Sequence, residues 1–212
     1  MRPVAGSASG HDVLVLVDHP EDLPLDCQID CLRHALAQNP IAESVLAMAG
    51  EMRLPGWYLG AGAVAQTVWN LRHGFPPAAG IKDYDLVYFD AEDLTAESER
   101  RVEQQVASWL SGLEVVVDVH NQARVHLWYE KRFGRHLDQY RSSEEAISTW
   151  PTTASSVGVR QDGDGFVVCA PFGLSDLLAM VARPNKVRVS QEIYEAKVAR
   201  WQARWPQLQV IP

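Results

Sequence analysis

Two aspartates one residue apart, Asp83-Tyr84-Asp85, head the apolar run Leu86-Val87-Tyr88-Phe89. Residues i and i+2 of a strand point to the same side, so this pair offers both carboxylates to one or two divalent cations. Adjacent anions repel unless something positive sits between them. The bland alternative is a pair of solvated acids at a strand start, but the run that follows makes the pair the mouth of a buried strand. A third acid, Asp118, interrupts Val115-Val116-Val117 and Val119. An unpaired buried carboxylate costs several kcal/mol, so Asp118 calls for a metal or a basic partner, and Arg124 or His120 could form a plain ion pair with it. Upstream lies Leu59-Gly60-Ala61-Gly62-Ala63. A strand entering a helix through glycines bares backbone N–H groups at the positive end of the helix dipole, which is a phosphate site; the same glycines could instead serve tight strand-to-helix packing. A phosphate-binding turn, paired aspartates and a third carboxylate on a neighbouring strand are the parts of two-metal phosphoryl transfer.

These residues need elements to hold them. The apolar spacing predicts helices over 26–38 and 41–52, the first stopping near Asn39-Pro40, and Pro55-Gly56 ends the pair. Trp57-Tyr58-Leu59 reads as a short strand that runs into the glycines, and Ala63 to His73 as the helix after them. A strand over 83–89 follows. Then comes a long amphipathic helix over 95–113, with Val106, Trp109, Leu110 and Leu113 on its buried side, and a strand over 114–119. Asn121 would cap a helix over 123–133 that Gly134 closes. Beyond it the pattern gives a short helix over 144–149, a hairpin of 158–160 with 166–169, a helix over 174–182 and a last helix over 191–205. The aromatics Tyr194, Trp201 and Trp205 fall on the packed face of that last helix, or could stack on a nucleobase. His126, Trp128 and Tyr129 have the spacing of core or groove lining.

The chain has 212 residues, 47% apolar and 22% charged, which excludes a disordered chain and suffices for a core without disulfide or metal. We expect a loose N-terminus over 1–12 and one domain over 13–212, with the catalytic core at about 57–130. No apolar run reaches the roughly 18 residues of a membrane span, and Val13 to Val17 is too short for a signal peptide, so a cytoplasmic protein is expected. Net charge is -8, and the basic clusters, Lys131-Arg132 and Lys186 to Arg188, are short. Binding of bulk nucleic acid through its phosphates is therefore disfavoured. Cys27, Cys31 and Cys169 complete no zinc site and are expected to be reduced core thiols.

The run Gly60-Ala61-Gly62-Ala63, a helix and then Asp83-Tyr84-Asp85 resembles the nucleotidyltransferase superfamily of DNA polymerase beta and the tRNA CCA-adding enzymes. More closely, Thr67-Val68-Trp69-Asn70, Ile81-Lys82-Asp83, Asn121-Gln122-Ala123-Arg124-Val125-His126-Leu127-Trp128, Ala170-Pro171-Phe172-Gly173-Leu174 and Arg183-Pro184-Asn185 resemble a small bacterial family of stand-alone nucleotidyltransferases. The resemblance implies an α/β (α+β) fold, a mixed sheet flanked by helices, with an N-terminal helical pair and a C-terminal hairpin-plus-helix appendage. It implies that Gly60, Ala61, Gly62 and Ala63 hold nucleotide phosphates. It also implies that Asp83, Asp85 and Asp118 bind Mg²⁺, or Mn²⁺ in its place, with Asp118 helping to activate the attacking hydroxyl. Lys82 could touch a phosphate or lie on the surface; Arg124 could meet a phosphate or Asp118. Two positions depart from the superfamily pattern: Ala63 follows Gly62 where Gly or Ser is usual, and Tyr84 stands where a smaller aliphatic residue is common.

The expected activity is transfer of a nucleoside monophosphate from a nucleoside triphosphate, releasing pyrophosphate. Acidity points to a small-molecule or protein acceptor. Two rivals remain. Gly60-x-Gly62-x-x-Ala65 with Asp90 loosely fits a dinucleotide-binding oxidoreductase, though Asp90 lies thirty residues on against about twenty in that fold. The other rival is a nucleotide-binding module without turnover.

Overall fold

The computed structural model describes residues 18–163, 165–187 and 189–212. The expected loose segment 1–12 and the apolar run 13–17 lie outside the described residues. After a 3₁₀ turn at Pro20–Asp22, helices α1 (Leu25–Ala37) and α2 (Pro40–Met52) follow one another across Asn39. Asn39 makes that junction: its side-chain oxygen accepts from the N–H groups of Ile41 and Ala42, and Pro40 occupies the first turn, where its missing N–H costs nothing.

A mixed five-stranded sheet runs in the order β3-β2-β1-β4-β5. Its strands are β1 (Tyr58–Gly60), β2 (Asp83–Tyr88), β3 (Val116–Asn121), β4 (Gly158–Asp162) and β5 (Gly165–Cys169). β1 is antiparallel to both β2 and β4, while β2 and β3 are parallel. Parallel neighbours need a crossover, supplied here by α4 (Ala96–Trp109), whose cap Thr95 accepts from the Ser98 N–H. The antiparallel β1–β2 pair, joined through α3 (Ala61–Arg72), contradicts the dinucleotide-binding alternative, which needs parallel strands around its first helix.

One face of the sheet is dry. Leu59, Tyr84 and Leu86 are 0% exposed and pack with α1, α2 and α3 into the main core. Period-two alternation therefore turns Asp83, Asp85 and Val87 of β2, and Asp118 and His120 of β3, to the opposite face. That face is bordered by α5 (His126–Phe133), α6 (Ser143–Ile147) and α8 (Gln191–Arg204). Trp201 of α8 and Trp205, which caps it, pack edge-on against fully buried Trp69 of α3, with ring centroids at 5.0 and 5.4 Å. The Trp205 indole N–H also donates to Asn70 Oδ1 at 3.0 Å.

The structure corrects four expectations. The helix expected over 174–182 is only α7 (Ser175–Leu178). Met180 then turns left-handed (φ 54°), and β6 (Val181–Ala182) pairs in parallel with β7 (Gln209–Val210), a strand the sequence pattern did not suggest. The crossover helix stops at Trp109, so Val106 and Leu110 are buried while Trp109 (59%) and Leu113 (40%) are exposed. β3 runs to Asn121 and forms an edge of the sheet, so Asp118 is only partly buried and can reach solvent without a partner. Cys27, expected in the core, is exposed; Cys31 is buried and Cys169 lies between.

Candidate active site

The bare face of the sheet forms the floor of a cleft of about 720 Å³ lined by Asp83 and Asp85. Parallel register sets Asp118 directly beside Asp85, and antiparallel register sets Gly60 across from Asp85 on the other side. The three carboxylates thus share one face on adjacent strands. They are not drawn tightly together: among the described residues, only His19, Glu21 and Asp22, outside the cleft, have ligand atoms all within 4.8 Å of one another.

Asp85 is the most perturbed of the three. Burial pushes its carboxyl up to about 6, and the charges of Asp83 and Asp118 add to the effect, while the Lys197 ammonium and the Gly62 N–H pull against it. Lys197 reaches the site from α8, with Nζ 4.9 Å from the Trp201 ring centroid. Burial depresses its pKa, Asp85 and Asp83 hold it up, and Arg200 lowers it further. Arg200 and Arg204 line the same cleft at helical spacing from Lys197.

The turn that starts α3 is built differently from the sequence expectation. Its left-handed residue is Ala61 (φ 51°), not a glycine. The Ala61 N–H is committed to the Val157 carbonyl at 3.1 Å, and Gly62 is the residue whose N–H reaches Asp85. Gly60 serves packing: a Cβ there would stand 2.6 Å from the Trp150 ring. Ala61, Gly62 and Lys82 line the cleft, whereas Gly60 and Ala63 do not, and Ala63 is fully buried. Tyr84 obstructs nothing, because it points into the core, where its hydroxyl meets Asn39. Arg124 is also removed from the cleft. Its guanidinium pairs with Glu99 of α4 and donates from Nε to the Leu94 carbonyl at 2.8 Å, which ties the end of β3 to the crossover. It therefore reaches neither a phosphate nor Asp118.

Sequence reasoning missed the cationic wall. Lys197, Arg200 and Arg204 follow one another at i, i+3 and i+7 in a helix read only for its aromatics. That spacing was the available signal; nothing local placed the helix over the aspartates.

A sequence profile of a nucleotidyltransferase family matches residues 47–210. The chain belongs to that family and is a nucleotidyltransferase. Its fold is that of a protein solved by NMR and described as revealing a CCA-adding enzyme head domain, 24% identical, with a TM-score of 0.70 over 86% of this chain and 95% of that one. No curated protein matches the chain significantly. Among the described residues, no helix is long and apolar enough to cross a membrane.

Proposed function

We propose that the protein moves a nucleoside monophosphate from a nucleoside triphosphate to a hydroxyl of a small molecule or a protein side chain, with Mg²⁺ held by Asp83, Asp85 and Asp118. The observation that carries this reading is the in-register placement of Asp118 beside Asp85, two residues from Asp83 on one face of the sheet, with Gly62 on one side and the α8 cations across the cleft. The donor set fits a hard divalent cation: every group is a carboxylate, and the repulsion that lifts the Asp85 pKa is what a cation relieves. When bound, the metal neutralises charge that develops on the transferring phosphoryl group.

The chain's own groups do the rest. Gly62, Lys82 and Lys197 orient the triphosphate, and Asp118 accepts the proton of the acceptor hydroxyl. The acceptor oxygen forms a bond to the α-phosphorus as the bond from that phosphorus to the bridging oxygen breaks, and pyrophosphate leaves toward Lys197 and Arg200. Mn²⁺ is the expected substitute metal.

Calorimetric titration of the four nucleoside triphosphates, with and without Mg²⁺, tests the reading. Wild type should bind at least one of them in a metal-dependent way, and Asp83→Ala/Asp85→Ala should lose that dependence. Binding indifferent to both metal and mutation would favour a nucleotide-binding module without turnover.

A further inference from the structure

The cleft is chemically lopsided. Near the start of β2 it is cationic, with Lys82 and the α8 residues Lys197 and Arg200. Beyond Asp118 the same face of β3 presents His120, and the Trp128 ring centroid stands 6.2 Å from that of His120. Tyr129 and Phe133 continue the surface, with centroids 6.3 and 6.4 Å from Trp128, all tilted rather than stacked. Trp150, set against Gly60, borders the cleft from the β1 side.

These rings are only partly spent on packing: Trp128 and Tyr129 rest against the small buried cluster of Val125, Leu137, Tyr140 and Ala146. Trp128 and Tyr129 are only partly buried and Phe133 is 46% exposed. Among the described residues, neither the His120 ring nor the Trp128 indole N–H has a hydrogen-bond partner. Neither Lys131 nor Arg132 of α5 lines the cleft, but the Arg132 guanidinium carbon stands 5.6 Å from the Phe133 ring centroid. Partly exposed rings clustered in a cavity mark a ligand site, and what stacks on them is a flat ring.

The position of the rings identifies which ligand. In-line displacement puts the entering oxygen opposite the departing pyrophosphate. The cations that would receive pyrophosphate lie on the Gly62–Lys197 side, so the entering hydroxyl must come from the Asp118–His120 side. We infer that the wall formed by Trp128, Tyr129 and Phe133 is the acceptor subsite, and that the acceptor is a small molecule carrying a planar ring near its reactive hydroxyl. This rests on the transferase reading above. A ringless acceptor leaves the exposed faces of Trp128 and Tyr129 uncovered.

The test uses the full chain loaded with Mg²⁺ and a non-hydrolysable α,β-methylene triphosphate analogue. Adenosine and tyrosinamide serve as ring-bearing probes and methyl glucoside as the ringless one, all followed by calorimetry. At least one ring-bearing probe should bind the loaded protein without displacing the analogue, and more tightly than the glucoside. Trp128→Ala should weaken that probe at least tenfold, Trp128→Phe should restore most of the loss, and the analogue's own affinity should stay within twofold in both variants. Three results would overturn the assignment: no ring-bearing probe binding at millimolar concentration, displacement of the analogue by the probe, or equal weakening of probe and analogue by Trp128→Ala. Failure of wild type to bind the analogue at all would instead sink the transferase reading.

Discussion

At the scale of single residues, the site is a cluster of like charges held together by its surroundings. Asp85 is the clearest case, because its carboxyl is pushed up to about 6 by burial and by its acidic neighbours. A carboxyl whose folded pKa lies above its unfolded one stabilises the fold below the unfolded value, about 3.9 for a free Asp, and loses that contribution as pH rises through the folded value. In the presence of a chelator, stability should therefore fall between about pH 4 and pH 6. Asp85→Asn should remove this dependence and melt higher than wild type at pH 8, by an amount on the order of 1–2 kcal/mol. Thermal denaturation in EDTA across that range checks it, and equal melting of the two proteins at pH 8 would count against the repulsion. Arg124 gives the opposite lesson. Its type and position suit a phosphate or Asp118, yet a buried guanidinium goes to the nearest enclosed carboxylate, and Glu99 lies seventeen residues before β3 on a helix whose orientation no local pattern discloses.

At the scale of elements, the turn between β1 and α3 shows how one motif divides its labour. Gly60 is a packing glycine, Gly62 a lining one, and Ala61 bears the left-handed conformation between them. Gly60→Ala drives a Cβ into the Trp150 ring at 2.6 Å and should destabilise the protein by about 1–3 kcal/mol, the usual cost of overpacking. Gly62→Ala meets only the movable end of Gln66 and should fold normally while weakening triphosphate binding. Denaturant melts paired with nucleotide titration separate the two outcomes. Most elements were legible because their patterns are local: the Asn39-Pro40 junction, the Asp83 strand and the Gly134 cap all lie where residue spacing puts them. What was hidden depends on distant partners. β6 is two residues long and exists only because Gln209–Val210 comes to lie beside it. Likewise the apolar spacing of 95–113 does not disclose that the helix ends at Trp109, which leaves Leu113 outside it.

At the scale of the molecule, α8 joins two parts that the sequence shows as separate. It carries cations over the aspartates and is fixed to α3, the helix that begins at the Ala61-Gly62 turn, by Trp201 and Trp205 on Trp69. The parallel pair β6–β7 holds the segment after it in place, and the hydrogen bond from the Tyr194 hydroxyl to the Ala182 carbonyl, at 2.7 Å, ties α8 itself to β6. Removing a buried tryptophan costs about 3–5 kcal/mol, and a domain's whole stability is about 5–15 kcal/mol. A chain cut before Ser190 should consequently lose its cooperative melt, which calorimetry would show as a missing heat-absorption peak; a truncated form that still melts sharply would mean α8 is an ornament to the fold. The same three rings have an optical consequence. Indoles held edge-on at 5.0 and 5.4 Å couple their excited states, and two of them border the cleft. The near-ultraviolet circular dichroism should carry a strong tryptophan couplet whose amplitude changes when a nucleotide enters, so the protein supplies its own label-free reporter of occupancy.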